Sequence, residues 1–530
     1  MDAIGLCGPT VQPAAAIAPM STASSSTRNA RLAALAAVLL CAAAIWPAAF
    51  TSSRRSRAAY DQINYHEKVV RTFAQELPNP NLRDYLSATT PGYHLVLAAV
   101  GRVLLGPNLH AGVNLTHDAA DPHAAPLAVA IARERLVLQL TGGLFTLAWV
   151  GLLVWWAARR CDAHGTTAAL VCVLPVAASP YVWQSGAFML PDNSAWLAVT
   201  GVLLASLAAV QASTRATWRW LALAGLMAFA AVWLRQIHLW TAGVVWAAAA
   251  LSAAAPLRQR GPLLAVSDAL PLRTTRKARW LAHLGLGIAL TLPAFASVAW
   301  FASLWGGLVP PSFKLWYTTG VTQPGASAFI LTLIAAYGVF FAGWWWPAAK
   351  AAWTSHRAAL LLSALIGLAL ALIGPTEPGF QQGRFGGLWS IVALVPSVLG
   401  RAPLVAAGAV AGAVLVAVLL AGMAPRQRWI MLAALVGFAA AQTASEQLWQ
   451  RYNEPMVLLW LVLACVLGSS RTEDTRLMPT WRVIGPLALA LGLAAVTALG
   501  FARSGVAHDE GLTVGQVPPS PAQAAPVLRP

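Results

Sequence analysis

Leu136–Ala157 reads LVLQLTGGLFTLAWVGLLVWWA, an uncharged run closed by Arg133-Glu134-Arg135 on one side and Arg159-Arg160 on the other. Its length meets the ~20 residues a helix needs to cross the hydrocarbon of a bilayer. Its apolar residues are continuous rather than alternating, so no strand of a β-barrel is written in it. The same pattern returns at Leu32–Phe50, Leu281–Leu304 and Leu404–Ala424. Of 530 residues, 58% are hydrophobic and 10% charged, and the mean hydropathy is +0.64. A water-soluble domain cannot enclose that much apolar surface. In hydrocarbon every backbone amide must bond inside its own segment. The chain is therefore read as an all-α polytopic membrane protein.

The net charge of +17 would point to nucleic acid in a soluble chain. Here the basic residues collect in connections between spans: Arg159-Arg160, Arg215 to Arg219, Arg258 to Arg279, Lys350 to Arg357, Arg426 to Arg428 and Arg471 to Arg482. That is the positive-inside pattern, which places these connections in the cytoplasm and sets nucleic acid aside as a partner. The opposite connections are Trp183–Asp192, the Arg235 turn, Trp305–Gly325, Pro375–Gly387 and Thr443–Glu454. They are rich in Trp, Tyr, Pro, Gly, Gln and Asn, and they carry the isolated carboxylates Asp192, Glu377, Glu446 and Glu454. Arg54, Arg55 and Arg57 break the charge pattern and are read as headgroup anchors.

The pattern predicts about 13 transmembrane helices in one domain over 32–502, between disordered segments 1–31 and 503–530. Leu32–Phe50 is long for a signal-peptide core, so a retained first helix is expected. Trp389–Leu399 is the ambiguous span: a half-span there keeps the later basic connections cytoplasmic. The stretch 51–135 is a long first extracytoplasmic loop, and loops of this length usually serve function. Within it, Tyr93–Leu105 is too short and too interrupted by Gly101-Arg102 to cross, and is expected to lie along the interface or on the bundle. The five cysteines are scattered and give neither a disulfide framework nor metal-ligand spacing.

Seven of the 18 acidic residues lie between Arg54 and Arg135. Tyr60-Asp61-Gln62-Ile63-Asn64-Tyr65-His66-Glu67 concentrates carboxylates, a histidine and aromatics directly after the first span. Asp61, so close to a helix end, reads either as a general base or as a solvated loop carboxylate. His66 and Glu67 follow within two turns. Thr89-Thr90-Pro91-Gly92-Tyr93 has the chemistry of a turn entering a helix, with Thr90 a candidate cap and Pro91 a candidate first helical residue. Arg235, in Arg235-Gln236-Ile237-His238-Leu239-Trp240, lies between two apolar spans, where a cation needs a partner or snorkels to the interface. Arg384 and Arg451 fall in loops on the same side. A planar guanidinium suits a phosphate, and one base with several arginines at one face suits transfer of a group from a lipid phosphate. The chain has no Walker loop, no HExxH and no dinucleotide fingerprint, so an activated donor is expected to arrive within the membrane.

In order and spacing these segments resemble the dolichyl-phosphate-glucose-dependent α-1,2-glucosyltransferases, members of the GT-C class of multi-span glycosyltransferases. The family's Asp-Glu pair with a following histidine is similar to Asp61-Gln62 and His66. Its Thr-Thr-x-Pro-Gly-x-Tyr element resembles Thr89-Thr90-Pro91-Gly92-Tyr93, and its Arg-Gln-Thr-Asn segment ending in Trp resembles Arg235 to Trp240. Gly306-Gly307-Leu308-Val309 resembles its Gly-Gly-aliphatic loop, and Arg451-Tyr452-Asn453-Glu454-Pro455 its late Arg-Tyr-x-x-x-Pro element. The resemblance runs from about residue 55 to 465. Gln62 replaces the second acid, two segments are one residue shorter, and His238 stands where the family has Asn.

The resemblance implies a GT-C bundle and inverting transfer of a hexose, glucose first, from a polyprenyl- or dolichyl-phosphate donor to a glycan or lipid-linked oligosaccharide. Asp61 would be the base. Arg235, Arg384 or Arg451 would bind the donor phosphate. His66, Glu67, Thr90, Tyr93, Gln236, His238 and Tyr452 would position substrate. No metal and no cofactor are expected. The partners are the lipid-linked donor, the glycan acceptor and membrane lipid. An Ala- and Arg-rich composition points to a bacterial cytoplasmic membrane, or the endoplasmic reticulum in a eukaryote, with the site on the extracytoplasmic side. A mannosyl- or arabinosyltransferase of the same class is the nearest alternative. A non-enzymatic transporter or flippase of lipid-linked sugars is the alternative of another kind; it calls for repeat symmetry and mid-span polar residues, and no repeat is evident.

Overall fold

The computed structural model describes residues 23–51, 57–107, 109, 124–160, 166–212, 214–253, 276–316, 322–379, 382–469 and 479–506. Among them the regular structure is helical. In chain order come α1 (Ala23–Thr51), α2 (Arg57–Asp61), α3 (Glu67–Glu76), α4 (Gly92–Leu105), α5 (Ala124–Ala158), α6 (Thr166–Ala178), α7 (Pro180–Ala187), α8 (Asp192–Ala209), α9 (Thr214–Leu234) and α10 (Thr241–Ala253). Then follow α11 (Arg276–Trp305), α12 (Ala326–Gly338), α13 (Ala342–Ser355), α14 (Arg357–Ile373), α15 (Leu388–Val392), α16 (Pro403–Ala421), α17 (Pro425–Thr443), α18 (Gln450–Ser469) and α19 (Pro479–Val506).

Nine helices among the described residues are long and apolar enough to cross a membrane, and ten if α6 and α7 count as one span bent by 69°. A multi-pass membrane protein follows. Two further apolar helices are shorter than these nine. α10 has 13 residues and α14 has 17. Trp389–Leu399 is not a span: α15 has five residues, and the chain turns back through a bridge between Val398 and Arg401. Hydropathy sees apolar length; only the packed chain reveals where a Pro, Gly or Ser ends the helix. At the N-terminus α1 starts at Ala23, upstream of the apolar run that begins at Leu32. Residues 1–22 and 507–530 of the two terminal segments lie outside the described residues.

α18 lies at the centre of the bundle and is buried without interruption from Asn453 to Leu467. Around it α8 packs along α9, α12 along α16, α14 along α16, α1 along α5 and α19 along α6. Trp460 and Trp389 are enclosed in the core, and Trp389 stacks on Phe329 at 4.2 Å. The outward faces of α14 and α19 present Leu361, Leu365, Leu491 and Val496, as a lipid solvent allows. α4 packs on α3 and α5 through Tyr93, His94, Leu97 and Ala98, while Val103 and Leu104 stay exposed.

Candidate functional site

Four ion-forming residues from distant parts of the chain meet at one end of the bundle, each at a helix end or break. Asp61 closes α2. There the helix widens into a π-helical turn over Gln62–His66 before α3 begins, a distortion that commonly accompanies function. Asp192 opens the 18-residue helix α8, where the helix dipole favours a negative charge. Arg235 follows α9 with extended backbone, ahead of a 3-10 turn over Gln236–Trp240. Arg451 is the second residue of α18.

These residues line a cavity of about 90 Å³ together with Tyr65, His66, Ser87, Ala88, Thr89, Leu190, Pro191, Phe313 and Tyr452. Arg451 Nη1 donates to Asp61 Oδ2 at 2.8 Å, and its Nη2 donates to the Tyr452 hydroxyl at 2.9 Å. Arg235 forms an ion pair with Asp192. The Tyr452 ring lies against both cations, 4.8 Å from the Arg235 guanidinium and 4.9 Å from that of Arg451, within cation–π range. Two carboxylates and two guanidiniums thus balance in charge around one aromatic ring. The Nε–H of Arg451 is buried and, among the described residues, has no acceptor, which marks it as an unsatisfied donor beside the cavity.

His66 reaches the cavity from the π-helical turn. Its Nδ1 is 2.9 Å from Nε2 of His94, and the two rings stack with centroids 5.2 Å apart. Burial, then the charges of Arg235 and Arg451, hold the His66 imidazole down to about 3. Among the described residues, no group of three or more His, Cys, Asp or Glu is arranged to hold a metal.

The remaining sequence candidates lie outside the cavity lining. Arg384 is buried, and its Nη2 donates to Gln323 Oε1 at 2.6 Å; it shares this end of the bundle with Trp449 through Phe385. Glu67 is buried against two cations: Arg71 Nη2 donates to it at 2.8 Å and Arg135 Nε at 2.7 Å. Arg71 also pairs with Glu134. Thr90 caps nothing: Pro91 is the cap, the helix starts at Gly92, and the Thr90 hydroxyl donates to Val232 O at 2.6 Å. Tyr93 is buried with its hydroxyl over Gly142, where a Cβ would come within 2.7 Å. His238 is buried edge-on to Trp196 at 4.9 Å, and among the described residues neither ring nitrogen has a hydrogen-bond partner.

Gln236 is a connector. Its Oε1 accepts from Thr90 N at 3.1 Å, and its Nε2 donates to Ala88 O at 2.7 Å and to Leu308 O at 2.9 Å. It ties the Thr-Thr-Pro-Gly turn to the Gly306–Val309 loop. Gly92 is required where α4 meets α9: a Cβ there would lie 2.5 Å from Trp233 O. Gln62, in place of a second acid, accepts from Gln139 Nε2 at 3.1 Å and from Met189 N at 2.9 Å.

The sequence assigns no site role to Asp192, Tyr65, Phe313 or His94. Only Asp192 gave a local sign, as a lone carboxylate after Pro191 at the start of an apolar run on the face that carries Asp61. The chain matches no family model, no curated protein and no solved structure.

Proposed function

We propose that this chain is a GT-C type membrane glycosyltransferase. It would move a hexose, glucose first, from a polyprenyl- or dolichyl-phosphate donor to a glycan or lipid-linked oligosaccharide, with inversion. The observation that carries the reading is the convergence of Asp61, Arg451, Arg235, Tyr452 and His66 on one cavity. A carboxylate, two guanidiniums and an open arginine N–H are the set that transfer from a lipid phosphate needs, and they stand at a bundle end where a membrane-borne donor can present its headgroup.

In this reading the donor phosphate takes Arg451 and Arg235 from their carboxylates. That exchange frees Asp61 as the phosphate arrives, so the base is unmasked only in the loaded site. The acceptor oxygen attacks the anomeric carbon from the face opposite the phosphate, and its proton passes to Asp61. The bond from the anomeric carbon to the phosphate oxygen breaks, and its electron pair stays on the lipid phosphate. The fixed guanidiniums stabilise that growing charge. Arg384, bonded to Gln323 and outside the lining, is not assigned to the phosphate. Asp192 pairs with Arg235, and the phosphate, by taking Arg235, leaves Asp192 to accept sugar hydroxyls.

The test is transfer by purified protein in lipid from polyprenyl-phosphate hexoses, with mass spectrometry of lipid-linked glycans from cells with and without the chain. Asp61→Asn is expected to insert normally and to lose transfer. Undiminished transfer by that variant would sink the base assignment. Inertness of the wild type toward every polyprenyl-phosphate hexose would sink the reading itself.

A further inference from the structure

His66 and His94 share one hydrogen between Nδ1 of the first and Nε2 of the second. Whichever ring donates decides what the other nitrogen of His66 offers the cavity. His94 is fully buried, and among the described residues its Nδ1 has no hydrogen-bond partner. A hydrogen on that nitrogen would be a buried N–H with no acceptor, and orphaned buried donors are rarer than under-satisfied acceptors. The hydrogen of His94 therefore belongs on Nε2, and His94 donates to His66 Nδ1. A third hydrogen on the pair, which would turn one ring into an imidazolium, is disfavoured by burial and by the facing guanidiniums of Arg235 and Arg451. A neutral His66 whose Nδ1 accepts must carry its own hydrogen on Nε2. His66 borders the cavity, and no described residue bonds its Nε2.

We infer that His66 is a neutral hydrogen-bond donor presenting Nε2–H to a phosphate oxygen in the cavity, and that His94 is the positioning residue that fixes this tautomer. The phosphate partner rests on the transferase reading above; the tautomer rests on the pair alone. The inference assigns His66 a role distinct from that of a base. A neutral imidazole N–H can stabilise charge growing on the leaving phosphate, but with Nδ1 engaged by His94 it has no free lone pair to take the acceptor's proton. That task stays with Asp61. The groups facing the pair are Asp61, Tyr65, Asp192, Arg235, Arg451 and Tyr452 around the cavity, and the Tyr85 and Tyr93 rings beside His94.

Nitrogen-15 NMR of histidine-labelled protein in nanodiscs reads the tautomer directly. Signals are assigned by their loss in His66→Gln and in His94→Gln. His66 is expected to show Nε2–H with bare Nδ1 from about pH 6 to about pH 8, a window around the ordinary histidine value near 6.5. His94→Gln, whose amide nitrogen can replace the lost donor, keeps that pattern; His94→Leu mixes the tautomers. An Nδ1–H or imidazolium His66 in the wild type overturns the inference. Adding a short isoprenyl phosphate is expected to shift the His66 Nε2–H signal, whereas the matching isoprenol does not. No shift with the phosphate overturns the choice of partner. In the transfer assay His66→Leu should lower kcat about 100-fold, the scale of one lost oxyanion donor. His66→Gln, which keeps a donor, should stay within about tenfold of wild type; equal collapse of both variants overturns the donor role. The spectra and the isoprenyl phosphate titration need no turnover. A wild type that binds the phosphate through His66 but transfers no sugar would overturn the transferase reading and leave this inference standing.

Discussion

Asp61 and Glu67 are six positions apart in one polar stretch, and the structure gives them opposite situations. Asp61 is half-buried, borders the cavity and pairs with Arg451. Glu67 is buried and held between Arg71 and Arg135. Removing one partner of a buried ion pair typically costs about 3–5 kcal/mol, because the other charge is left uncompensated. Glu67→Gln is therefore expected to lower the unfolding temperature in detergent clearly, whereas Asp61→Asn should change it little; matching shifts for the two would contradict the division of roles. His66 adds a pH dependence. Its imidazole is held down to about 3 in the folded chain, by burial first and then by Arg235 and Arg451, against about 6.5 when unfolded. Between those values the unfolded chain binds more protons, so stability rises with pH there. The contribution is complete above about pH 6.5 and is lost as pH falls toward the folded value. The unfolding temperature of the wild type is expected to fall from about pH 7 to about pH 5, and His66→Gln should reduce that slope.

Among the elements, the site is built from interruptions of helices. Asp61 precedes a π-helical turn, Arg235 follows the end of α9, Asp192 opens α8 and Arg451 stands in the first turn of α18. Side chains at helix ends can point along the bundle axis, while mid-helix side chains point at neighbours or lipid. Gln236, next to Arg235, ties its own turn to the 79–91 segment through Ala88 and Thr90 and to the Gly306–Val309 loop through Leu308. Gln236→Leu leaves the buried Thr90 N–H without its acceptor, a loss on the order of 1–3 kcal/mol. The expected result is earlier protease cleavage in the 79–91 segment and a raised KM for the donor, with kcat less affected. Unchanged cleavage and KM would show that the turn holds without its clip. Gly92→Val should be worse, because its Cβ would meet the Trp233 carbonyl, which belongs to helix backbone and cannot rotate away.

For the molecule as a whole, the decisive contact joins Asp61 to Arg451 across a sequence separation of 390. In a background without native cysteines, Asp61→Cys with Arg451→Cys should be joined by a short bifunctional maleimide. Asp61→Cys with Arg384→Cys should not, since Arg384 lies against Gln323 instead. The reverse pattern would disprove the arrangement of the cavity. The sequence by itself determined the solvent and the class of fold, because transfer of uncharged runs such as Leu136–Ala157 into hydrocarbon is a sum over neighbouring residues. It also singled out Asp61, Arg235 and Arg451, charged residues beside apolar spans, and His66 and Tyr452 through the family resemblance. Only the tertiary structure decided which of the candidates meet. It brought in Asp192 from another helix as a second carboxylate where Gln62 had seemed to remove one, and it put His94 behind His66. It also left Glu67, Tyr93, His238 and Arg384 out of the cavity lining. The physical reason is range: hydropathy adds locally along the chain, whereas ion pairs and hydrogen bonds act over a few ångströms, and which groups come that close is set by how the helices cross and where they end.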